Sequence, residues 1–161
     1  MNNAITTLAG EELAEGNKYI GTLAAPNGSV YGIPYTARRV GKFNPIDKSF
    51  TDIGPYFGNV DGYDEWKWHA GAMSDNGIIY CPPQGFFDRG ILRIDTNTDN
   101  VTELGRNLLP EQGDGSMWIS CAAALDGCIY FMPSSARRMM KLDPNNGDAM
   151  SSVRDDLGDG E

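Results

Sequence analysis

The sequence has little of the chemistry that builds metal sites. It contains 1 histidine and 3 cysteines, Cys81, Cys121 and Cys128, and no Cys-x-x-Cys pair. Structural zinc sites draw four ligands from cysteine and histidine at short, regular spacings. No metal site is therefore predicted, and the cysteines are expected to be small, buried free thiols. A phosphate loop, a His-Glu-x-x-His motif and a Gly-x-Ser-x-Gly motif are also missing, so no cofactor is predicted.

Long apolar runs and excess positive charge are missing as well. No run approaches the roughly 18 apolar residues of a membrane span, and residues 1–10 lack the basic start and apolar core of a signal peptide. The net charge is −9, from 13 basic and 22 acidic residues. Nucleic acids and anionic membranes attract basic surfaces. We therefore expect neither a nucleic acid nor a membrane as a partner.

The chain does contain a threefold repeat, rich in turn residues, with 20 glycines and 9 prolines in total. In each copy a glycine is followed by a tyrosine three residues later and by a proline six residues later. An aromatic residue stands nine residues before each glycine. These four positions are Tyr19, Gly28, Tyr31 and Pro34 in the first copy, Trp68, Gly77, Tyr80 and Pro83 in the second, and Trp118, Gly127, Tyr130 and Pro133 in the third. Such regularity, at a period of about 50 residues, is decisive for the fold.

Each copy divides into four short strands, which we label a to d. Strands a and b flank an Asn-Gly or Asp-Gly pair, which favours a tight hairpin turn, and strand b stops at proline. Strand a is typified by Trp68–Ser74 and Trp118–Leu125. Strand c is predicted at Val40–Asn44, Ile91–Asp95 and Met139–Asp143, and strand d at Phe50–Ile53, Val101–Leu104 and around Ser152–Leu157.

Four antiparallel strands in about 50 residues resemble the blade of a β-propeller, with the general layout of kelch-like repeats. Small residues in strand a, such as 70–72 and 121–124, suit the crowded axis of a propeller. The prediction is one all-β repeat domain over 1–161, with a lead-in strand in 1–17 and blades at 18–58, 66–107 and 116–158. A β-trefoil, which also has three four-stranded repeats, is the alternative. Its barrel needs large apolar residues where strand a here is rich in alanine.

Three blades are too few for a closed ring, since propellers typically have about 4 to 8. The open sides would expose apolar surface, which favours association. We therefore expect either a homodimer that completes a six-bladed ring or membership of a longer repeat chain.

The candidate site residues lie in the long b–c and d–a loops, which share one face of a propeller. Arginines bind carboxylates and phosphates through a planar fork of donors, and an exposed tryptophan suits sugars or peptide side chains. The candidates are Arg38, Arg39, Arg89, Arg137, Arg138 and Trp66. For the arginines, salt bridges between blades are the alternative interpretation. Trp68 and Trp118 keep the period of the repeat and are expected to pack between blades.

The only histidine, His69, is a weak catalytic candidate on strand a, because no motif places a nucleophile or carboxylate beside it. Two functions remain open at this point. The first is a non-enzymatic scaffold that binds a ligand or protein and self-assembles to close its ring. The alternative is a hydrolase- or lyase-like enzyme with its site in the central channel.

Overall fold

The chain forms three antiparallel sheets, one for each repeat. A computed structural model describes residues 18–58, 66–84, 89–105 and 117–153, and all structural statements concern these ranges. The first sheet contains β1 (Tyr19–Ala24), β2 (Val30–Pro34), β3 (Val40–Phe43) and β4 (Phe50–Ile53). The second contains β5 (Ala72–Met73), β6 (Ile78–Cys81), β7 (Ile91–Asp95) and β8 (Asn100–Leu104). The third contains β9 (Trp118–Ala123), β10 (Ile129–Pro133), β11 (Met140–Asp143) and β12 (Ala149–Ser152).

The strands of each sheet lie in chain order and pair antiparallel with their neighbours in sequence. The prediction of three four-stranded antiparallel copies is thus confirmed. Because every repeat completes a sheet of its own, the copies do not share one barrel, as the trefoil alternative requires. The described residues contain no helix of the length and apolar character that a membrane span requires.

The a–b turns form as the Asn-Gly and Asp-Gly pairs predict. Gly28 and Gly127 have φ of 85° and 79°, a conformation that glycine adopts without steric cost. The side chains before them hold the turn: Asn27 Oδ1 accepts the Ser29 amide at 2.9 Å, and Asp126 Oδ1 accepts the Cys128 amide at 3.1 Å. The sequence therefore sets both the place and the geometry of these hairpins.

Two predicted strands differ from the observed ones. Strand a of the second copy is reduced to β5, with an isolated bridge between Trp68 and Pro83. Strand d of the third copy is β12, which ends where the predicted strand around Ser152–Leu157 begins. The compact turn before β12 explains this shift, since Asp143 already pairs with Ala149 across it. The predicted lead-in strand in 1–17 lies outside the described residues.

The apolar cores lie between consecutive blades. Trp68, Ile79 and Leu92 of the second blade pack against Tyr31 and Ile33 of the first. The matching core between the second and third blades contains Ile78, Tyr80, Trp118, Ile129 and Phe131. The indole Nε1 atoms of Trp68 and Trp118 donate to the carbonyls of Gly90 and Arg138, each at 3.0 Å. The prediction that the periodic tryptophans pack between blades is confirmed.

A polar contact, which we call the clasp, accompanies the first of these cores. Tyr31 on strand b and Lys42 on strand c reach across to Asp99 in the c–d turn of the next blade, at 2.8 and 2.6 Å. Burial alone would raise the pKa of the Asp99 carboxyl, but the hydrogen bonds from Lys42 and Tyr31 outweigh burial and lower it. The clasp therefore contains an ionised pair at neutral pH.

A second clasp repeats the first between the second and third blades. Tyr80 and Arg93 reach Asp148 at 2.5 and 3.2 Å. Asp99 and Asp148 both adopt positive φ, 58° and 60°, which aspartate tolerates better than most residues. At both junctions, a tyrosine and a cation of one blade bind an aspartate of the next blade. These contacts fix the relative position of the two blades.

Candidate functional site

The loops of the candidate face are joined by backbone hydrogen bonds between the first and second blades. The Tyr35 carbonyl accepts the Lys67 amide at 2.9 Å, and the Pro34 carbonyl accepts the Trp68 amide at 3.3 Å. The Lys67 carbonyl in turn accepts the Gln84 amide at 2.8 Å. The segment that enters the second blade is therefore held along the end of strand b of the first.

This arrangement places an aromatic stack at the junction of the two blades. The rings of Tyr35 and Trp66 lie nearly parallel, with centroids 5.8 Å apart and 13° between their planes. Tyr35 is buried, and its burial raises the pKa of the phenol, whereas Trp66 keeps 55% of its surface exposed. The buried tyrosine thus supports a tryptophan whose outer surface is accessible to a ligand.

His69 joins the edge of this cluster. Its ring meets Tyr35 nearly edge-on, at 6.2 Å and 73°. No carboxylate among the described residues hydrogen-bonds to it, so the orienting partner of a typical catalytic histidine is not observed there. His69 and Trp66 thus both contact the ring of Tyr35.

The arginine pair of the first blade divides into one exposed and one half-buried residue. Arg38 is exposed, donates a hydrogen bond to the Tyr56 hydroxyl, and holds its guanidinium 5.4 Å from the centroid of that ring. Arg39 donates to the Gly54 carbonyl of the same blade. Arg38 is therefore the member of the pair that can also meet a ligand.

Arg89 has a largely internal position. Only 6% of its side chain is exposed, and its guanidinium lies 5.6 Å from the Trp68 ring. Its Nη2 donates to the Gly58 carbonyl at 2.8 Å, and its Nη1 lies 3.6 Å from a carboxylate oxygen of Glu103. The contact with Glu103 lies within the second blade and not between blades, and together these contacts leave little of the group for a ligand.

The arginine pair of the third blade lies in a loop tied to the start of strand a. The amides of Ser134 and Ala136 both donate to the Met117 carbonyl, at 2.7 and 3.2 Å. Arg137 is exposed and Arg138 is half-buried, and both make further contacts. The structure does not bring these residues to the Trp66 stack, since Arg137 and Arg138 belong to the far blade.

Sequence reasoning missed Lys67, whose side chain is completely buried beside the stack. Its ammonium donates to the Thr36 carbonyl at 3.2 Å, and it has other contacts as well. A buried lysine is unusual, because the charged form loses hydration unless polar partners replace it. One signal was available: Lys18 and Lys67 each precede the aromatic residue of strand a.

Two further predictions concern metal-ligating side chains and the three cysteine thiols. Within the described ranges no group of three metal-ligating side chains comes together. All three cysteines are free; Cys81 and Cys128 are buried as expected, and Cys121 is half-buried. Burial raises the pKa of the Cys121 thiol to about 12 and that of Cys81 well above its usual value. Both are therefore protonated and weakly nucleophilic at neutral pH.

Comparison with solved structures decides the fold. The chain superimposes on virginiamycin B lyase from Staphylococcus aureus with a TM-score of 0.62, at 12% identity, over 83% of this chain and 40% of that one. A streptogramin B lyase gives 0.63 at 17% identity, over 84% and 40%. The nidogen/laminin complex gives 0.54 at 13% identity, over 84% and 48%. The fold is that of a β-propeller.

These similarities extend to the fold alone, because all the identities are below 20%. The chain spans less than half the length of each of these propeller proteins. No protein-family model matches the sequence, and no curated protein matches it either. The function must therefore be argued from the residues of the site.

Proposed function

We propose that the chain is a non-enzymatic propeller module that binds a small ligand or a protein on the face formed by its b–c and d–a loops. The observation that carries this proposal is the stack of exposed Trp66 on buried Tyr35. A rigid aromatic surface loses little conformational entropy on binding, and tryptophan is enriched at binding hot spots. His69 contacts Tyr35 at the edge of the stack.

The proposed ligand has a flat or sugar ring and an anionic group. Trp66 offers the ring a stacking partner, and Arg38, in the same loop as Tyr35, offers a guanidinium that is already oriented over Tyr56. The chain as a whole carries −9, so an anion is attracted only where a cation is locally exposed. This supports a specific site rather than general binding of anions.

Isothermal titration calorimetry with phenyl phosphate tests this proposal, because its signal does not depend on Trp66. We expect binding that weakens about 5-fold in Trp66→Ala and about 5-fold in Arg38→Ala, since exposed stacking and cation contacts contribute about 1 kcal/mol each. Phenyl glucoside should bind the native chain more weakly, because it lacks the anion. Lys48→Ala is the matched control for lost positive charge, since Lys48 lies in a c–d turn, at the opposite end of the blade.

Two results would count against the site. One is the absence of any heat of binding with millimolar phenyl phosphate. The other is equal weakening in Arg38→Ala and Lys48→Ala, which would indicate general electrostatics rather than a defined pocket.

The second candidate is a lyase- or hydrolase-like activity around His69. It is favoured by the structural similarity to virginiamycin B lyase, for which a catalytically inactive variant with quinupristin is known. Incubation of this chain with quinupristin, followed by mass spectrometry, tests it directly. We expect no conversion. Conversion that disappears in His69→Ala would replace the scaffold proposal with an enzymatic one.

Self-assembly is part of the proposed function. Among the described residues, the first and third blades each have one face without a neighbouring blade, and such faces favour association. A homodimer that closes a six-bladed ring is the form we propose, with a longer repeat chain as the other possibility. The kelch-like layout of the repeats also remains a proposal, and it is based on the four strands of each blade.

A further inference from the structure

The two clasps assign fixed roles to equivalent positions in each blade. At the first junction Asn27, Tyr31 and Lys42 of one blade hold the c–d turn of the next. Asn27 Nδ2 donates to the Thr96 carbonyl at 2.6 Å, while Tyr31 and Lys42 donate to Asp99. At the second junction the tyrosine, the cation and the aspartate recur. At both junctions a tyrosine and a cation on one blade thus bind an acid on the following blade, and Asn27 adds a neutral amide at the first.

The third blade has the same donor positions, but among the described residues no blade packs against them. Tyr130 and Lys141 stand where the clasp residues stand in the other blades, and Ala122 and Ser151 flank them in register. Tyr130 is partly exposed, although Tyr31 and Tyr80 are completely buried. Met132 on the same face is 41% exposed. Within the described ranges, this side of the third blade therefore carries the residues of an internal junction without a following blade.

An acid has replaced the amide on this open face. Asp126 stands where Asn27 and Asn76 stand in the other a–b turns, and it accepts from Tyr130 at 2.7 Å and from Lys141 at 3.2 Å. The hydrogen bond from Tyr130, assisted by the Cys128 amide and Lys141, lowers the pKa of Asp126 to about 2. The carboxylate is thus ionised at neutral pH.

The opposite change occurs at the open face of the first blade. Lys48 takes the place of Asp99 and Asp148 in the c–d turn, and it keeps their positive φ, at 60°. Lysine is not favoured in this conformation, which makes the position notable. Its side chain is exposed. At these two positions the open faces therefore differ from the internal junctions: an acid, paired with Lys141 of its own blade, is added on the donor side, and a cation replaces the acid on the acceptor side.

We propose that two copies of this chain join through these faces, with Lys48 of one copy bound to Asp126 of the other. The inference rests on the self-assembly proposed above and names its contact. It is supported by the charge complementarity of the two positions and by continuity with the two internal junctions. Rotation by a two-fold axis makes the contact twice and closes six blades.

Charge exchange tests the contact by sedimentation equilibrium on the full chain. For the native chain we expect a mass twice the 17.5 kDa of one copy. Asp126→Lys places three cations at each new junction and should raise the dissociation constant of the dimer at least 10-fold. Asp126→Lys combined with Lys48→Asp restores an opposite pair and should bring the dissociation constant back to within about 3-fold of the native value.

The matched control is Asp75→Lys, which makes the same change of charge in the a–b turn of the second blade. Asp75 is exposed but lies at a junction that is already occupied, so association should not change. Restored association in the double variant also shows that Asp126→Lys folds, although Asp126 accepts the Cys128 amide in its turn.

The outcomes separate this inference from the proposed function. A native chain that stays at 17.5 kDa at every concentration would overturn both the self-assembly and the contact. A native dimer that Asp126→Lys leaves intact, or that the double variant fails to restore, would overturn the contact alone. Neither result would affect phenyl phosphate binding at Trp66.

Discussion

Trp68→Ala is expected to lower the free energy of unfolding by about 3 to 5 kcal/mol, the usual cost of removing a large buried aromatic side chain. Trp68 is completely buried and meets Phe57 edge-on at 4.8 Å, in the core between the first and second blades. Its loss would also remove the hydrogen bond to the Gly90 carbonyl and the aromatic ring that packs against the Arg89 guanidinium. The resulting cavity would lie in the core between the first and second blades.

Trp66→Ala provides the control, because it is the same substitution two positions away. Trp66 stacks on Tyr35 but keeps 55% of its surface exposed, so we expect a loss below about 1 kcal/mol. Urea unfolding followed by far-ultraviolet circular dichroism measures both values. Similar losses in the two variants would contradict the assignment of Trp68 to the core and Trp66 to the binding face.

The second large effect is expected for Gly54→Ala, at about 3 kcal/mol. Gly54 has φ of 77°, where a side chain costs about 1 to 2 kcal/mol. A β-carbon there would also lie 2.5 Å from the β-carbon of Val101 in the next blade. Valine is branched at that atom and cannot rotate away, so the two blades would have to move apart, at a further cost of about 1 to 3 kcal/mol.

Gly28→Ala separates these two contributions. Gly28 has φ of 85°, yet a β-carbon there would meet no atom within 4 Å. Its expected loss is therefore the backbone cost alone, about 1 to 2 kcal/mol. Thermal melts of both variants give the comparison. If Gly28→Ala proved as damaging as Gly54→Ala, close approach of the blades at Gly54 would not be the cause.

Much of the fold followed from the repeat, for a physical reason. Strand pairing here is local, and the turn residues that make it, such as Asn27 with Gly28, are visible in the sequence. The burial of Trp68 and Trp118 followed from their period. The bounds of β12 were harder to predict, because they depend on the pairing of Asp143 with Ala149 and on the packing of Met150 against the core between the second and third blades.

The candidate site was less predictable, because it depends on contacts between blades. Arg38 and Arg89 looked alike in sequence, but Arg89 is enclosed by Trp68, Gly58 and Glu103 while Arg38 is exposed. The burial of Lys67 depends on where the b–c loop of the preceding blade passes. Repeat patterns describe one blade at a time, so they do not show which side chains a neighbouring blade covers.

The order of strands within each sheet also has a consequence for how the molecule folds. Since every strand pairs with its neighbour along the chain, each sheet can form from successive hairpins without closing a long loop. The slow events are then the docking of one finished sheet on the next, through Trp68, Trp118 and the two clasps. Substitutions in the hairpin turns should mainly slow folding, whereas substitutions at Asp99 or Asp148 should mainly accelerate unfolding.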